Sequence, residues 1–215
     1  MREFWAQRQT VKPMYRLFIE RRWALYAGAR IDQLGRDIWR EFVRAKARGR
    51  GLYFTGPTGT GKTHALVAVY DRLGRRDWLR YRDGQLADGT WRVSPWDCLL
   101  VSYLDLLDDL KQDFSLDFPE NAERYSTVDV LLVDDLGSGR ATAWQAEQLY
   151  RIVNTRLNRG LVTHYASNYE PLMELPRKLV SDGAADLTRD GDRIASRIAG
   201  NSILLRLEGP DRRLA

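Results

Sequence analysis

Eight residues constrain this chain more than any others: Gly56, Pro57, Thr58, Gly59, Thr60, Gly61, Lys62 and Thr63 match the pattern G-x-x-x-x-G-K-[ST]. Glycines allow successive backbone N–H groups to converge on phosphate oxygens, and the helix that follows points its positive end at the same place. Such a loop needs a strand before it and a helix after it. Leu52–Thr55 (LYFT) reads as a short strand, and Thr63–Leu73 is apolar and alanine-rich, as the helix requires. The expected ligand is a nucleoside triphosphate, ATP, with Lys62 on its β and γ phosphates and the Thr63 hydroxyl on Mg²⁺. His64 belongs to the same binding stretch and is expected to pack against the loop rather than to ionise for catalysis.

Two downstream segments fit the same site. Val130–Val133 is an apolar run closing on Asp134 and Asp135, and strand ends beside a phosphate loop are where ligands sit in open α/β sheets. Asp134 would hold the magnesium, and Asp135 would orient or deprotonate an attacking water. Thr163–Ser167 is a second strand, ending at Asn168, a candidate for the γ-phosphate or the water. His164, inside that strand, reads as a sheet residue.

Strands at Leu99–Ser102, Val128–Val133, Leu161–Ala166 and Ile203–Leu207 alternate with helices at Leu104–Phe114, Ala143–Asn158 and Asp192–Ala199. That order predicts an α/β domain with a mostly parallel five-stranded sheet flanked by helices. In the Leu104–Phe114 helix, Leu104, Leu107 and Leu110 are expected on the buried face. Met14–Ala47 reads as helix, with apolar residues at three- and four-residue steps, until Gly49 and Gly51 stop it. Residues 1–50 hold thirteen Lys/Arg against five Asp/Glu, so the chain's net +5 comes from +8 here and −3 elsewhere. A segment of that charge suits a polyanion or an acidic partner, or is a solvated amphipathic helix. The single cysteine, Cys98, cannot form an internal disulfide and reads as a small core residue. No apolar run is long enough to span a bilayer and the N-terminus has no signal-like core, which predicts a cytoplasmic protein.

GPTGTGKTH at 56–64, LLVDDLG at 131–137, YASNYEP at 165–171 and DRIASRIAGNS at 192–202 resemble, in order and spacing, the DnaC/IstB-like AAA+ ATPases. These are helicase loaders and transposition helpers. The resemblance covers residues 50–207 and implies an AAA+ P-loop fold. It makes Lys62 and Thr63 Walker A, Asp134 and Asp135 Walker B, and Asn168 sensor 1. It further implies an arginine finger that enters a neighbouring subunit's nucleotide site: Arg197, or alternatively Arg193. Arg213 is a looser match to a sensor-2-like nucleotide contact. Many AAA+ proteins have Glu where Asp135 stands, so the carboxylate reaches one methylene less far and slow hydrolysis is expected. The implied organisation is a basic helical extension (1–50), an AAA+ core (51–208) and a short tail (209–215), with no C-terminal lid domain.

The resemblance implies a replicative helicase as partner, or alternatively a transposase, together with DNA and ATP-dependent self-association. A non-hydrolysing adaptor that keeps its ATP is a reading of another class; a small-molecule kinase lacks the signature of a lid or substrate pocket. Trp78, Arg80, Tyr81, Arg82, Trp91 and Arg92 interleave rings and cations around turns at Asp83-Gly84 and Asp88-Gly89. This predicts a hairpin over 78–96 that either holds single-stranded DNA or packs its tryptophans on the domain.

Overall fold

Neighbouring residues along four of the five strands feed opposite layers of core. Tyr53, Val101, Leu131, Val133 and Tyr165 enter one apolar cluster, while Leu52, Phe54, Leu100, Leu132 and Ala166 enter the other. This two-residue alternation with both faces covered is what a parallel sheet between helical layers requires. The computed structural model describes residues 19–82, 98–114, 120–180 and 185–212. Its strands are β1 (Gly51–Thr55), β2 (Cys98–Ser102), β3 (Val130–Asp134), β4 (Val162–Ser167) and β5 (Ser202–Arg206). All pair in parallel in the order β2-β3-β4-β1-β5.

The helices are α1 (Arg36–Ala47), α2 (Lys62–Arg82), α3 (Tyr103–Asp113), α4 (Glu120–Thr127), α5 (Ala143–Asn158), α6 (Leu175–Leu179) and α7 (Ala185–Gly200). Buried residues of α1 and α2 share one cluster with the N-terminal segment; those of α3 to α7 line the other. Local chemistry fixes several ends. Thr142 and Gln145 form a capping box at the start of α5, satisfying amides that have no partner within the helix. Ser102 accepts the Asp105 N–H and starts α3.

Three expectations need correction. The Met14–Ala47 helix is not continuous: residues 24–26 and 31–33 are separate 3₁₀ turns, and α1 begins only after Gly35. Gly35 has φ +96, outside the helical range, so helix cannot run through it. Met14 to Phe18 lie outside the described residues. On α3 the buried face is Tyr103, Leu106, Leu107 and Leu110, whereas Leu104 is 52% exposed, packed on Gly139. The expected hairpin also begins too early: α2 runs through Trp78 to Arg82, and residues 83–97 lie outside the description. The α4 helix and the backward reach of α7 to Ala185 were not anticipated. Cys98 is buried in the core, as expected.

Candidate functional site

Parallel pairing places the C-terminal ends of all five strands on one rim, where the phosphate loop leaves β1 and the two acids leave β3. The loop is held in shape by its own side chains. Thr60 Oγ1 donates to the Pro57 carbonyl at 2.8 Å, and Lys62 Nζ donates to the carbonyls of Gly56 and Pro57 at 2.8 and 2.7 Å. Gly56 has φ +140, and a Cβ there would lie 2.1 Å from the Leu207 carbonyl oxygen, so no other residue fits. Thr58 is exposed on the rim.

β4 lies between β1 and β3, yet the loop and the acids meet across it. Thr63 Oγ1, in the first turn of α2, donates to Asp134 Oδ1 at 3.2 Å. Asp134 is buried, and burial, aided by the neighbouring Asp135 charge, pushes its carboxyl up to about 7; the Thr63 hydrogen bond pulls the other way. Asp135 is exposed and holds φ 51, the only positive φ of a non-glycine residue among those described. Backbone strain of this kind persists where the surroundings enforce it. Here the Leu136 N–H donates to the Ala166 carbonyl at 2.9 Å and Ser167 Oγ donates to the Leu136 carbonyl at 2.7 Å, locking the turn after β3 to the end of β4. Asn168 follows directly and is exposed, between the strand of the loop and the strand of the acids.

The surroundings of both histidines disfavour the cation. His64 is half-buried beside the loop; burial first, and then the Arg212 charge, lower it from its ordinary value. His164 is fully enclosed in β4 and lowered to about 4, chiefly by burial.

The arginines stand elsewhere. Arg197 lies in the last turns of α7, beside the end of the sheet where β5 begins, opposite the loop. Its Nε donates to Asn154 Oδ1 at 3.1 Å, Nη1 to the Arg193 carbonyl at 3.1 Å and Nη2 to the Tyr150 hydroxyl at 2.9 Å. Arg193 donates to the same hydroxyl at 3.1 Å, and the two guanidinium carbons stand 4.4 and 4.6 Å from the Tyr150 ring centroid. Arg213 lies outside the described residues. The residue that sequence reasoning passed over is its neighbour: the Arg212 N–H donates to the Gly59 carbonyl at 3.0 Å, with its guanidinium beside Gly61. Only the return of the chain after β5 reveals this contact.

No family model matches the chain. It is 25% identical over 170 residues to the replicative helicase loader DnaI of Bacillus subtilis (strain 168), covering 77% of this chain and 48% of that protein. The chain spans between about a third and a half of the length of the curated relatives it matches. A crystal structure of DnaI superposes with a TM-score of 0.62 at 22% identity, over 86% of this chain and 90% of that one. A crystal structure of the DnaC helicase loader superposes with a TM-score of 0.59 at 24% identity, over 85% of this chain and 98% of that one. The fold is that of an AAA+ domain, and the resemblance is to DnaC-type loaders.

Proposed function

We propose that this chain, an AAA+ domain similar to the DnaI and DnaC loaders, binds ATP with magnesium and uses it as an assembly switch in loading or remodelling a replicative helicase on DNA. One observation carries the reading: the 3.2 Å hydrogen bond from Thr63 to Asp134, which joins the phosphate loop to the acidic strand across β4. A hydroxyl and a carboxylate oxygen so close together suit a hard cation that takes its other ligands from phosphates and water. Among the described residues no cluster of three His, Cys, Asp or Glu offers a rival metal site. Bound magnesium would neutralise charge on the phosphates.

The chain's own residues then divide the work. The backbone N–H groups of residues 58–63 surround the phosphates, and Lys62 leaves the Gly56 and Pro57 carbonyls to meet them. Asp135 and Asn168, exposed on the same rim, orient the attacking water. Arg197, or Arg193 beside it, is turned away from its own loop, which suits an arginine supplied to a neighbouring copy. A replicative helicase as partner is proposed from the likeness to DnaI and DnaC loaders.

Titration with a fluorescent ATP analogue tests the nucleotide site: Lys62→Ala should abolish binding, and an unaltered affinity would end the proposal. Affinity capture tests the partner. A hexameric helicase is expected, whereas an integrase-type transposase would move the chain to the transposition helpers. The short reach of Asp135 favours one further reading, an adaptor that holds ATP without hydrolysing it. Turnover with and without single-stranded DNA separates the two, and loss of function in Lys62→Ala but not in Asp135→Asn would favour the adaptor.

A further inference from the structure

After β5 the backbone does not leave the site but runs along the phosphate loop. The Leu207 N–H donates to the Thr55 carbonyl at 2.7 Å, and the Leu207 carbonyl oxygen occupies the space a side chain on Gly56 would need. Further along, the Arg212 N–H donates to the Gly59 carbonyl at 3.0 Å. A Cβ on Gly59 would lie 1.9 Å from Asp211 Oδ1, so the carboxylate rests directly on the loop backbone. A Cβ on Gly61 would lie 3.6 Å from Arg212 Nη1, and the Arg212 charge is felt at His64. Residues 207–212 therefore follow the loop from its first glycine to its last.

Loop amides turn inward to phosphates, so the Gly59 carbonyl taken by Arg212 is on the outer side. The segment is a brace and not a plug. It also brings one negative and one positive side chain to a loop whose ligand carries several negative charges. We propose that Asp211 and Arg212 are positioning residues of the nucleotide site that set its preference for the number of phosphates. Asp211 opposes each added phosphate charge from behind Gly59, and Arg212 attracts it beside Gly61. The inference rests on the loop holding a nucleotide.

The experiment measures dissociation constants of ATP and ADP for the full chain, for Asp211→Asn and for Arg212→Gln, with thermal melting as a folding control. Asp211→Asn should raise the preference for ATP over ADP, and Arg212→Gln should lower it. Each shift should be roughly two- to fivefold, the size expected of charges in contact with water, and should shrink as salt is added. A merely structural brace would change both nucleotides alike. Folded variants whose ATP-to-ADP ratio equals that of wild type would overturn the proposal while leaving the nucleotide site standing. Wild-type protein that binds neither nucleotide would overturn both.

Discussion

His164 is a side chain whose surroundings oppose its charged form. It is enclosed in the central strand, its Nδ1 accepts the Leu52 N–H at 3.1 Å, and the nearby Arg156 cation adds to the burial that lowers it to about 4. Unfolded, the same imidazole titrates near 6.5. Between those values the unfolded chain binds the extra proton, so stability is complete above about 6.5 and is lost as pH falls toward 4. The difference is worth roughly 3 kcal/mol. Urea denaturation at pH 7.5 and pH 5 should show wild type losing much of this, while His164→Asn, with an acceptor but no titration, should give a flatter profile. Equal losses in the two proteins would mean that other groups govern acid sensitivity. That His164 lies in a strand is readable from its apolar neighbours. That its ring nitrogen accepts the Leu52 N–H is not, because 112 residues separate the pair.

At the scale of elements, Arg156 ties α5 to several other parts of the fold. It is 2% exposed near the end of α5. Nε donates to Thr163 Oγ1; Nη1 donates to the carbonyls of Tyr125 and Val128, and Nη2 to those of Asp129 and Val162. One planar fork thus satisfies α4, the turn before β3 and the start of β4. Arg156→Met leaves one buried and three partly buried carbonyls without this donor and should cost roughly 3 kcal/mol in urea denaturation. Arg156→Lys, with a point charge in place of the fork, should recover only part. If Arg156→Met unfolds at the wild-type urea concentration, the fork is not a tie. Helix α5 itself is legible from Thr142 onward, whereas the role of Arg156 is not, since its partners are backbone carbonyls that carry no sequence signal. The same blindness explains Leu104: spacing of three fits 104, 107 and 110, but Tyr103, 0% exposed, turns the helix so that 103, 106, 107 and 110 face inward. Along residues 14–47, apolar periodicity runs through Gly28 and Gly35 as though they were neutral, and the backbone breaks there instead.

At the scale of the whole molecule, the phosphate loop and the arginines of α7 lie at opposite ends of the sheet, so the proposed finger role of Arg197 requires a neighbouring copy. ATP turnover per chain should therefore rise with protein concentration. Arg197→Ala should remove that rise while leaving ATP affinity intact, and a series in which wild type and variant turn over equally would discard Arg197. Arg193→Ala serves as the comparison, because both guanidinium groups share Tyr150. The motif order, the rim and the acids were legible because each sits at a strand end whose neighbours are local in sequence. The pairing of Arg212 with the loop was not, for it depends on where β5 returns.

The insertion of β4 between β1 and β3 has a consequence for how such a chain can diverge. Two rungs of backbone hydrogen bonding, about 4.8 Å each, hold β1, which leads into the phosphate loop, about 10 Å from β3, which carries the acids, whatever side chains fill the layers above and below. The main chain acts as the ruler, so the packing can be rewritten residue by residue without resetting the gauge of the site. A domain sharing only 22% of its residues with DnaI can therefore still superpose on it over 86% of its length.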